Sequence, residues 1–153
     1  MRRRGLVTGL TVAGVLAWAR PSRVVVAGES MRPTLAPGDR LLVVRPGRPG
    51  RGDVVVVRPP GRNLEMVKRV VGLPGDRVEV DPLGIAIDGE VRGEPWAAGG
   101  SPGGSWTLGP GEYLLMGDNR AASTDARSFG PVPASAIGGR VLLRYHPRPG
   151  IVR

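Results

Sequence analysis

The chain has 153 residues, of which 22 are Lys or Arg and 13 are Asp or Glu, and its formal charge is +9. It contains no cysteine, which excludes a disulfide scaffold, a thiol nucleophile and a cysteine-based zinc site. Its single histidine, His146, excludes a metal site built from several histidines. The scattered arginines and the few aromatic residues (4%) do not indicate a nucleic-acid platform. With 41% hydrophobic residues, one domain with a hydrophobic core is expected.

Residues 1–20 are typical of an N-terminal membrane anchor, because three arginines at 2–4 precede the uncharged stretch 5–19. A helix of this length spans about 22 Å, less than the ~30 Å hydrocarbon core, so snorkelling of the flanking arginines is needed. The basic flank predicts a cytoplasmic N-terminus and an extracytoplasmic remainder. Two alternatives stay open. One is a signal peptide cut after the Ala-Trp-Ala at 17–19, and the other is an amphipathic or buried helix.

Residues 24–153 predict a mainly β domain, an antiparallel barrel or sandwich, because short β-branched runs alternate with Gly, Pro and Asp. The predicted strands are 24–27, 40–44, 53–58, 66–72, 77–80, 113–116 and 140–145. Asp88-Gly89, inside the run 85–91, predicts a hairpin. Together with the Gly-, Pro- and Ser-rich stretch 93–111, expected as an exposed excursion, it forms an insertion over 80–112. One helical turn is expected at 133–137.

Few residues of this chain could serve as a catalytic nucleophile and its general base. His146 lies in a proline-flanked stretch near the C-terminus and is a poor candidate base. A Ser–Lys dyad remains, and only lysine can serve, since the guanidinium of arginine keeps its proton. Lys68 is the one lysine beside 21 arginines, and it lies within the apolar run 66–71, where burial would favour the free amine. Ser30, in a turn that can supply backbone N–H donors to an oxyanion, is the candidate nucleophile.

Non-catalytic explanations of Lys68 and Ser30 are also consistent with these patterns. A lone lysine can survive by chance on a solvated strand face, because charged residues are mostly exposed. An ordinary turn serine is far commoner than a catalytic one.

Four segments, in order, resemble the conserved boxes of bacterial type I signal peptidases. They are GESMRPTLAPGDRLLV (28–43), GDVVVVRPP (52–60), MVKRVVGLPGDRVEV (66–80) and MGDNRAASTDARSFGPVP (116–133). The resemblance covers about residues 1–145, and the first and third boxes together are highly specific. It implies a membrane-anchored serine endopeptidase, with its catalytic domain outside the cytoplasm, that cleaves signal peptides from exported preproteins after small residues of the Ala-x-Ala type. Its expected partners are preprotein signal peptides and membrane lipid, without metal, cofactor or nucleic acid.

The resemblance also implies a role for each matching residue. Ser30 matches the family's nucleophile and Lys68 its general base. Ser123 matches the serine whose hydroxyl orients the lysine amine. Asp125 and Arg127 match a supporting pair, expected as a salt bridge that holds its loop in place.

Three further positions take roles from the same resemblance. Met31 is expected to line the hydrophobic substrate groove. Residues 117–120 are expected to form a structural turn beneath the dyad. Gly28 stands where some members carry a serine that donates to the oxyanion, so the hole here must use the Ser30 backbone N–H and a second backbone or water donor.

Three other functions compete with this interpretation. A dedicated maturation protease of the nickel superoxide dismutase type would share the first box and the Ser-Thr-Asp at 123–125, but the complete GLPGD at 72–76 and the hydrophobic N-terminus favour the general peptidase. A self-cleaving repressor would need an N-terminal helix-turn-helix, for which residues 1–26 leave no room. A basic β module that binds nucleic acid or anionic lipid would need clustered arginines.

Overall fold

A computed structural model describes residues 21–45, 47–100 and 102–152 of the chain. The strands are β1 (Ser22–Val25), β2 (Arg40–Val44), β3 (Val54–Val57), β4 (Met66–Gly72), β5 (Arg77–Asp81), β6 (Gly84–Ile87), β7 (Glu90–Arg92), β8 (Gly104–Thr107), β9 (Glu112–Met116), β10 (Val132–Pro133), β11 (Ile137–His146) and β12 (Gly150–Ile151). In the described part there are also one short helix, α1 (Ala126–Phe129), and two 3-10 turns (Arg120–Ala122 and Ala134–Ala136). The prediction of a mainly β fold is confirmed.

The larger sheet has the strand order β1-β2-β11-β3-β4-β9-β10, with β12 added to β11, and its neighbours are antiparallel. Strand β11 shifts register twice against β2, after Val141 and after Arg144, and β4 shifts once against β9 after Val70. Such bulges bend a strand and increase its twist, so the sheet curls into a half-barrel. The expected barrel or sandwich is therefore an open, curled sheet, with β1 and β10 at the ends of its strand order.

The sheet buries side chains on both of its faces, and β3 shows why. All four of its valines are buried, and alternate residues of a strand point to opposite faces. Val54 and Val56 pack with Leu41 in one core cluster, whereas Val55 and Val57 pack with Leu115 in another. A continuous run of β-branched residues is what a strand covered on both faces requires.

The smaller sheet, in the order β7-β6-β5-β8, occupies residues 77–107 and so takes in most of the expected 80–112 insertion. Its inward residues, among them Val78 and Ile87, pack on the larger sheet through Leu114 of β9. The hairpin predicted at Asp88-Gly89 is confirmed. Both residues have positive φ, 52° and 82°, as a type I′ turn needs.

Several elements were not predicted, among them the two-residue strands β10 and β12 and the 3-10 turn Arg120–Ala122. Strand β8 lies inside the stretch 93–111 that was expected as an exposed excursion, and Trp106 of this strand packs on the core cluster beneath the smaller sheet. The short helix α1 was not predicted, and it begins where the side chain of Asp125 accepts a hydrogen bond from Arg127 N. The helical turn expected at 133–137 is the 3-10 turn Ala134–Ala136.

The membrane anchor predicted for residues 1–20 lies outside the described residues. Among the residues that the structure does describe, no helix is long and apolar enough to cross a bilayer. The described chain enters the fold through β1, which places the residues that follow it, 26–35, beside β4.

Candidate active site

The structure brings Ser30 and Lys68 together, although 38 positions separate them in the sequence. Lys68 Nζ and Ser30 Oγ are 2.7 Å apart, a hydrogen-bond distance. Lys68 is on β4 and only 3% exposed, whereas Ser30 lies in the turn after β1 and is partly exposed. A hydroxyl that solvent can reach thus contacts an amine that is almost fully buried.

The surroundings of Lys68 favour its neutral form. Burial lowers the pKa of the Lys68 amine from 10.5 to about 8, although the carboxylates of Asp125 and Asp118 act in the opposite direction. The Arg127 guanidinium adds a smaller lowering effect. With a pKa of about 8, roughly a tenth of the amines are unprotonated at pH 7, against less than a thousandth for an ordinary lysine. The site therefore holds a usable base near neutral pH.

The Ser30 turn, residues 28–35, is anchored on both sides of the nucleophile candidate. Met31 and Leu35 are each 1% exposed and pack in one core cluster, and Leu35 N donates a hydrogen bond to Met31 O at 2.8 Å. From the opposite side, Asn119 N donates to Ser30 O at 3.0 Å. Ser30 is thus held by its neighbours' burial and by its own backbone.

A groove of about 680 Å³ runs along the two residues. It is lined by 23–31, 64–68, Val56, Ala122 and Thr124. Two exposed apolar side chains, Val25 (60%) and Leu64 (63%), belong to this lining. Gly28 and Met31 line it as well. A Cβ added at Gly28 would meet no described atom within 4 Å, so this position has room for a side chain.

Asp125 and Arg127 form the expected ion pair beside the dyad. Arg127 donates to both carboxylate oxygens of Asp125, at 2.8 Å each, and Gly117 N donates to Asp125 Oδ2 at 3.0 Å. Burial raises the pKa of the fully buried Asp125 carboxyl, but hydrogen bonds from Arg127 and Gly117, with a contribution from Ser123, outweigh burial and leave the pKa below its usual value. Asp125 is therefore an anion fixed near Lys68.

Ser123 is close to the dyad but does not make the expected hydrogen bond to Lys68. Its Oγ is buried and forms no hydrogen bond with a described residue, although it lies close enough to Asp125 to help lower the pKa of that carboxyl. A Cβ on Gly117 would lie 2.2 Å from Ser123 Oγ and 2.5 Å from Ser30 O, so only glycine allows this approach. The hydroxyl is thus packed against the Ser30 turn with its hydrogen-bonding capacity unused.

A second buried ion pair, which was not predicted from the sequence, lies beneath the site. Arg69, 0% exposed, donates to both oxygens of Asp118 at 2.8 and 2.7 Å. Thr34 of the Ser30 turn donates to Asp118 Oδ2 at 2.5 Å. An arginine in an apolar run was the available signal, since buried charges need partners. The pair links β4 to the Ser30 turn through the loop 117–120.

Comparisons with known proteins show the family to which the chain belongs. Residues 4–146 match the family model described as "Signal peptidase, peptidase S26". The chain is 32% identical over 162 residues to the probable signal peptidase I-2 of Synechocystis sp., covering 95% of this chain and 72% of that protein. It is 33% identical over 146 residues to signal peptidase IB of Staphylococcus aureus, covering 80% and 76%. The crystal structure of a signal peptidase I from Enterococcus faecalis V583 matches with a TM-score of 0.57 and 25% identity, over 63% of this chain and 98% of that one.

Proposed function

Because the chain belongs to the signal peptidase (peptidase S26) family of serine peptidases, we propose that it cleaves signal peptides from exported preproteins with a dyad of Ser30 and Lys68. The main support for this dyad is the 2.7 Å contact between Ser30 Oγ and the nearly buried amine of Lys68. It joins the one lysine of the chain to a serine that lines an open groove.

In the proposed reaction, the neutral Lys68 amine accepts the proton of the Ser30 hydroxyl while Ser30 Oγ attacks the scissile carbonyl carbon. Backbone N–H donors stabilise the tetrahedral oxyanion, and the amide of Ser30 itself is the first candidate. The Lys68 ammonium then gives its proton to the departing amine, the C–N bond breaks, and an ester joins Ser30 to the signal peptide. A water then attacks the ester while Lys68 takes its proton, the bond between Ser30 Oγ and the carbonyl carbon breaks, and Lys68 passes the proton to Ser30 Oγ, which regenerates both residues.

Asp125, Arg127 and Ser123 are proposed to support this proton transfer without touching the substrate. The Asp125 carboxylate stabilises the ammonium that Lys68 becomes, and Arg127 keeps that carboxylate ionised and in place. The buried Ser123 hydroxyl, unpaired in the described structure, can turn about its Cα–Cβ bond to accept a hydrogen bond from the amine. Its role is to orient Lys68 once the Ser30 proton has moved.

The groove is proposed to bind the signal peptide in an extended form. Strand β1 is an edge of the larger sheet, so its outer main-chain groups can pair with an added strand. Val25 and Leu64 supply apolar contacts beside this edge, and Met31 lies beneath them in the lining. Shallow apolar contacts next to Ser30 suit small residues at the first and third positions before the cut, as in Ala-x-Ala.

Residues 1–20 are proposed to anchor the protein in the cell membrane as a single pass, with the N-terminus in the cytoplasm. Residues 24–153 then form the extracytoplasmic catalytic domain, in which 80–112 is an insertion. Membrane lipid is accordingly a proposed partner, whereas metal, cofactor and nucleic acid have no part in the proposed reaction. The relatives reported above are named signal peptidases, which gives the alternative of a dedicated maturation protease no support.

The test is cleavage of a preprotein by the full-length chain in detergent micelles or proteoliposomes. We expect one cut after an Ala-x-Ala sequence, read by mass spectrometry, and loss of that cut when a bulky residue replaces the alanine before it. Ser30→Ala removes the nucleophile and should abolish cleavage, while Ser105→Ala, an exposed serine of β8, should leave it unchanged. Activity of Ser30→Ala above about a tenth of the wild-type rate would contradict the proposed nucleophile.

A further inference from the structure

The segment Glu94–Ala98, called the strap below, lies against the loop 117–120 on the side away from Ser30. Ala98 N donates to Asp118 O, and Arg120 N donates to Ala98 O, both at 2.8 Å, which makes an isolated parallel bridge between Ala98 and Asn119. Asn119 N meanwhile donates to Ser30 O. The loop is therefore held between the strap and the residue proposed as the nucleophile.

Two strap side chains extend this contact into the buried network. Glu94 pairs with Arg120 at 2.6 Å, and their side chains are only 9% and 4% exposed. The Trp96 ring lies 4.5 Å from the guanidinium carbon of Arg69, a cation–π distance. Arg69 in turn holds Asp118, which accepts the hydrogen bond from Thr34 of the Ser30 turn.

These strap contacts are not explained by stability alone. A buried ion pair loses most of its Coulombic gain to desolvation, so the Glu94–Arg120 pair stabilises the fold weakly for its burial. The Trp96 Nε1 atom is buried with no hydrogen-bond partner among the described residues, which is a further cost to stability. Both side chains do, however, fix the position of groups that contact the Ser30 turn.

We propose that Trp96 and Glu94 are positioning residues for the peptidase reaction, acting on Ser30 through Arg69, Asp118 and the loop 117–120. The proposal rests on the role of Ser30 given above. The strap touches neither reacting atom; it restrains the carbonyl and amide groups that hold the Ser30 turn. A displacement of about 1 Å at a reacting group can reduce a rate by about 10²-fold, so a small shift of this loop is enough to slow acylation.

The test compares two half-buried tryptophans, Trp96 of the strap and Trp106 of β8, of which only Trp96 faces Arg69. Trp96→Leu should lower kcat by about 10- to 100-fold and change KM by less than about twofold. Trp106→Leu should keep kcat within about threefold of the wild type, which accounts for any general loosening of the smaller sheet. Trp96→Phe, which keeps an aromatic face toward Arg69, should restore kcat to within about threefold.

The variants are assayed as full chains that are folded at the assay temperature, with Ser30→Ala measured beside them. If Trp96→Leu does not fold, Glu94→Gln is the second variant, and it should lower kcat with KM unchanged. Equal kcat values for Trp96→Leu and Trp106→Leu, no recovery by Trp96→Phe, or a wild-type kcat in Glu94→Gln would overturn the proposal. Cleavage by Ser30→Ala would instead overturn the proposed function, so the two failures are distinguishable.

Discussion

Lys68 and Arg69 are consecutive residues of β4, and the strand places their charged groups in different surroundings. Both side chains are buried, at 3% and 0% exposure. The Arg69 guanidinium meets the two oxygens of Asp118 in a bidentate ion pair. The Lys68 amine meets the hydroxyl of Ser30, and burial lowers its pKa to about 8. One side of β4 holds a permanent charge and the other holds an amine that can lose its proton.

The different surroundings of the two side chains account for a lysine at position 68 and an arginine at position 69. Arginine suits a site that needs a fixed cation and planar, two-point bonding to a carboxylate. Lysine suits a site that needs a cation able to become neutral when it is desolvated. A chain with 21 arginines and a single lysine uses the lysine at the position where, in our proposal, a proton must leave.

The largest expected effect is on turnover in Lys68→Arg. Arginine keeps the positive charge but cannot accept the Ser30 proton, so kcat should fall by about 10²- to 10⁴-fold. The measurement is the cleavage rate of a peptide with an Ala-x-Ala site, with circular dichroism to confirm that the variant is folded. A folded variant that retains wild-type turnover would show that Lys68 serves as a charge and not as a base.

The next effect is on stability, on the other side of the strand. Arg69→Met should lower the free energy of unfolding by about 3–5 kcal/mol, because it leaves the buried Asp118 carboxylate without its cation. The measurement is urea unfolding of the full chain in detergent. Arg77→Met is the matched control, since it breaks an exposed Arg77–Glu79 pair that should be worth less than about 1 kcal/mol. Equal losses in the two variants would contradict the structural role of the Arg69–Asp118 pair.

Replacing the neighbouring lysine by methionine, Lys68→Met, should raise the free energy of unfolding instead of lowering it. Between pH 8 and 10.5 the unfolded Lys68 binds more protons than the folded one, so wild-type stability should rise with pH through this window. At pH 7, Lys68→Met avoids burying an amine that is mostly charged, and its free energy of unfolding should exceed that of the wild type by about 1–3 kcal/mol. The gain should shrink as the pH rises above 8, and a variant less stable than the wild type at pH 7 would contradict the desolvation of Lys68.

The smallest change in kcat and in stability is expected at Gly28, in the groove that Ser30 and Lys68 line. A serine here fits without a clash and adds a hydroxyl two residues before the proposed nucleophile. Gly28→Ser should change stability by less than about 0.5 kcal/mol. It should raise kcat several-fold, below the ~10²-fold worth of a full oxyanion donor, because backbone donors already serve. Gly28→Ala is the control without a hydroxyl, and an equal kcat in both variants would exclude the added donor.

Local sequence predicted the strands and the contact between Ser30 and Lys68 better than it predicted the partners of buried charges. The valine run of β3 and the Asp88-Gly89 turn were predictable because consecutive residues determine each of them. Ser30 and Lys68 were predictable because each lies in a specific sequence motif. Strand β8 was missed because glycine and serine surround Trp106, so the strand depends on pairing with β5. The partner of Arg69 could not be read from β4, since Asp118 is 49 residues away.

The site residues show the same division. The Asp125–Arg127 pair was expected and is formed, because the two residues are neighbours at the start of α1. The Ser123 hydroxyl was expected to contact Lys68, yet its orientation depends on the packing of Gly117 against the Ser30 turn. The strap was placed in an exposed excursion because nothing in its own sequence indicates a contact with the loop 117–120.

The central claim, that Lys68 is a buried amine with a lowered pKa, can be measured without any substrate. Because the chain contains one lysine, labelling with ¹³C-lysine gives a single side-chain signal for the whole protein. We expect the Lys68 Cε signal of the full chain in detergent micelles to titrate with a pKa of about 8. A titration at the ordinary lysine pKa of 10.5, in the folded protein, would contradict the account.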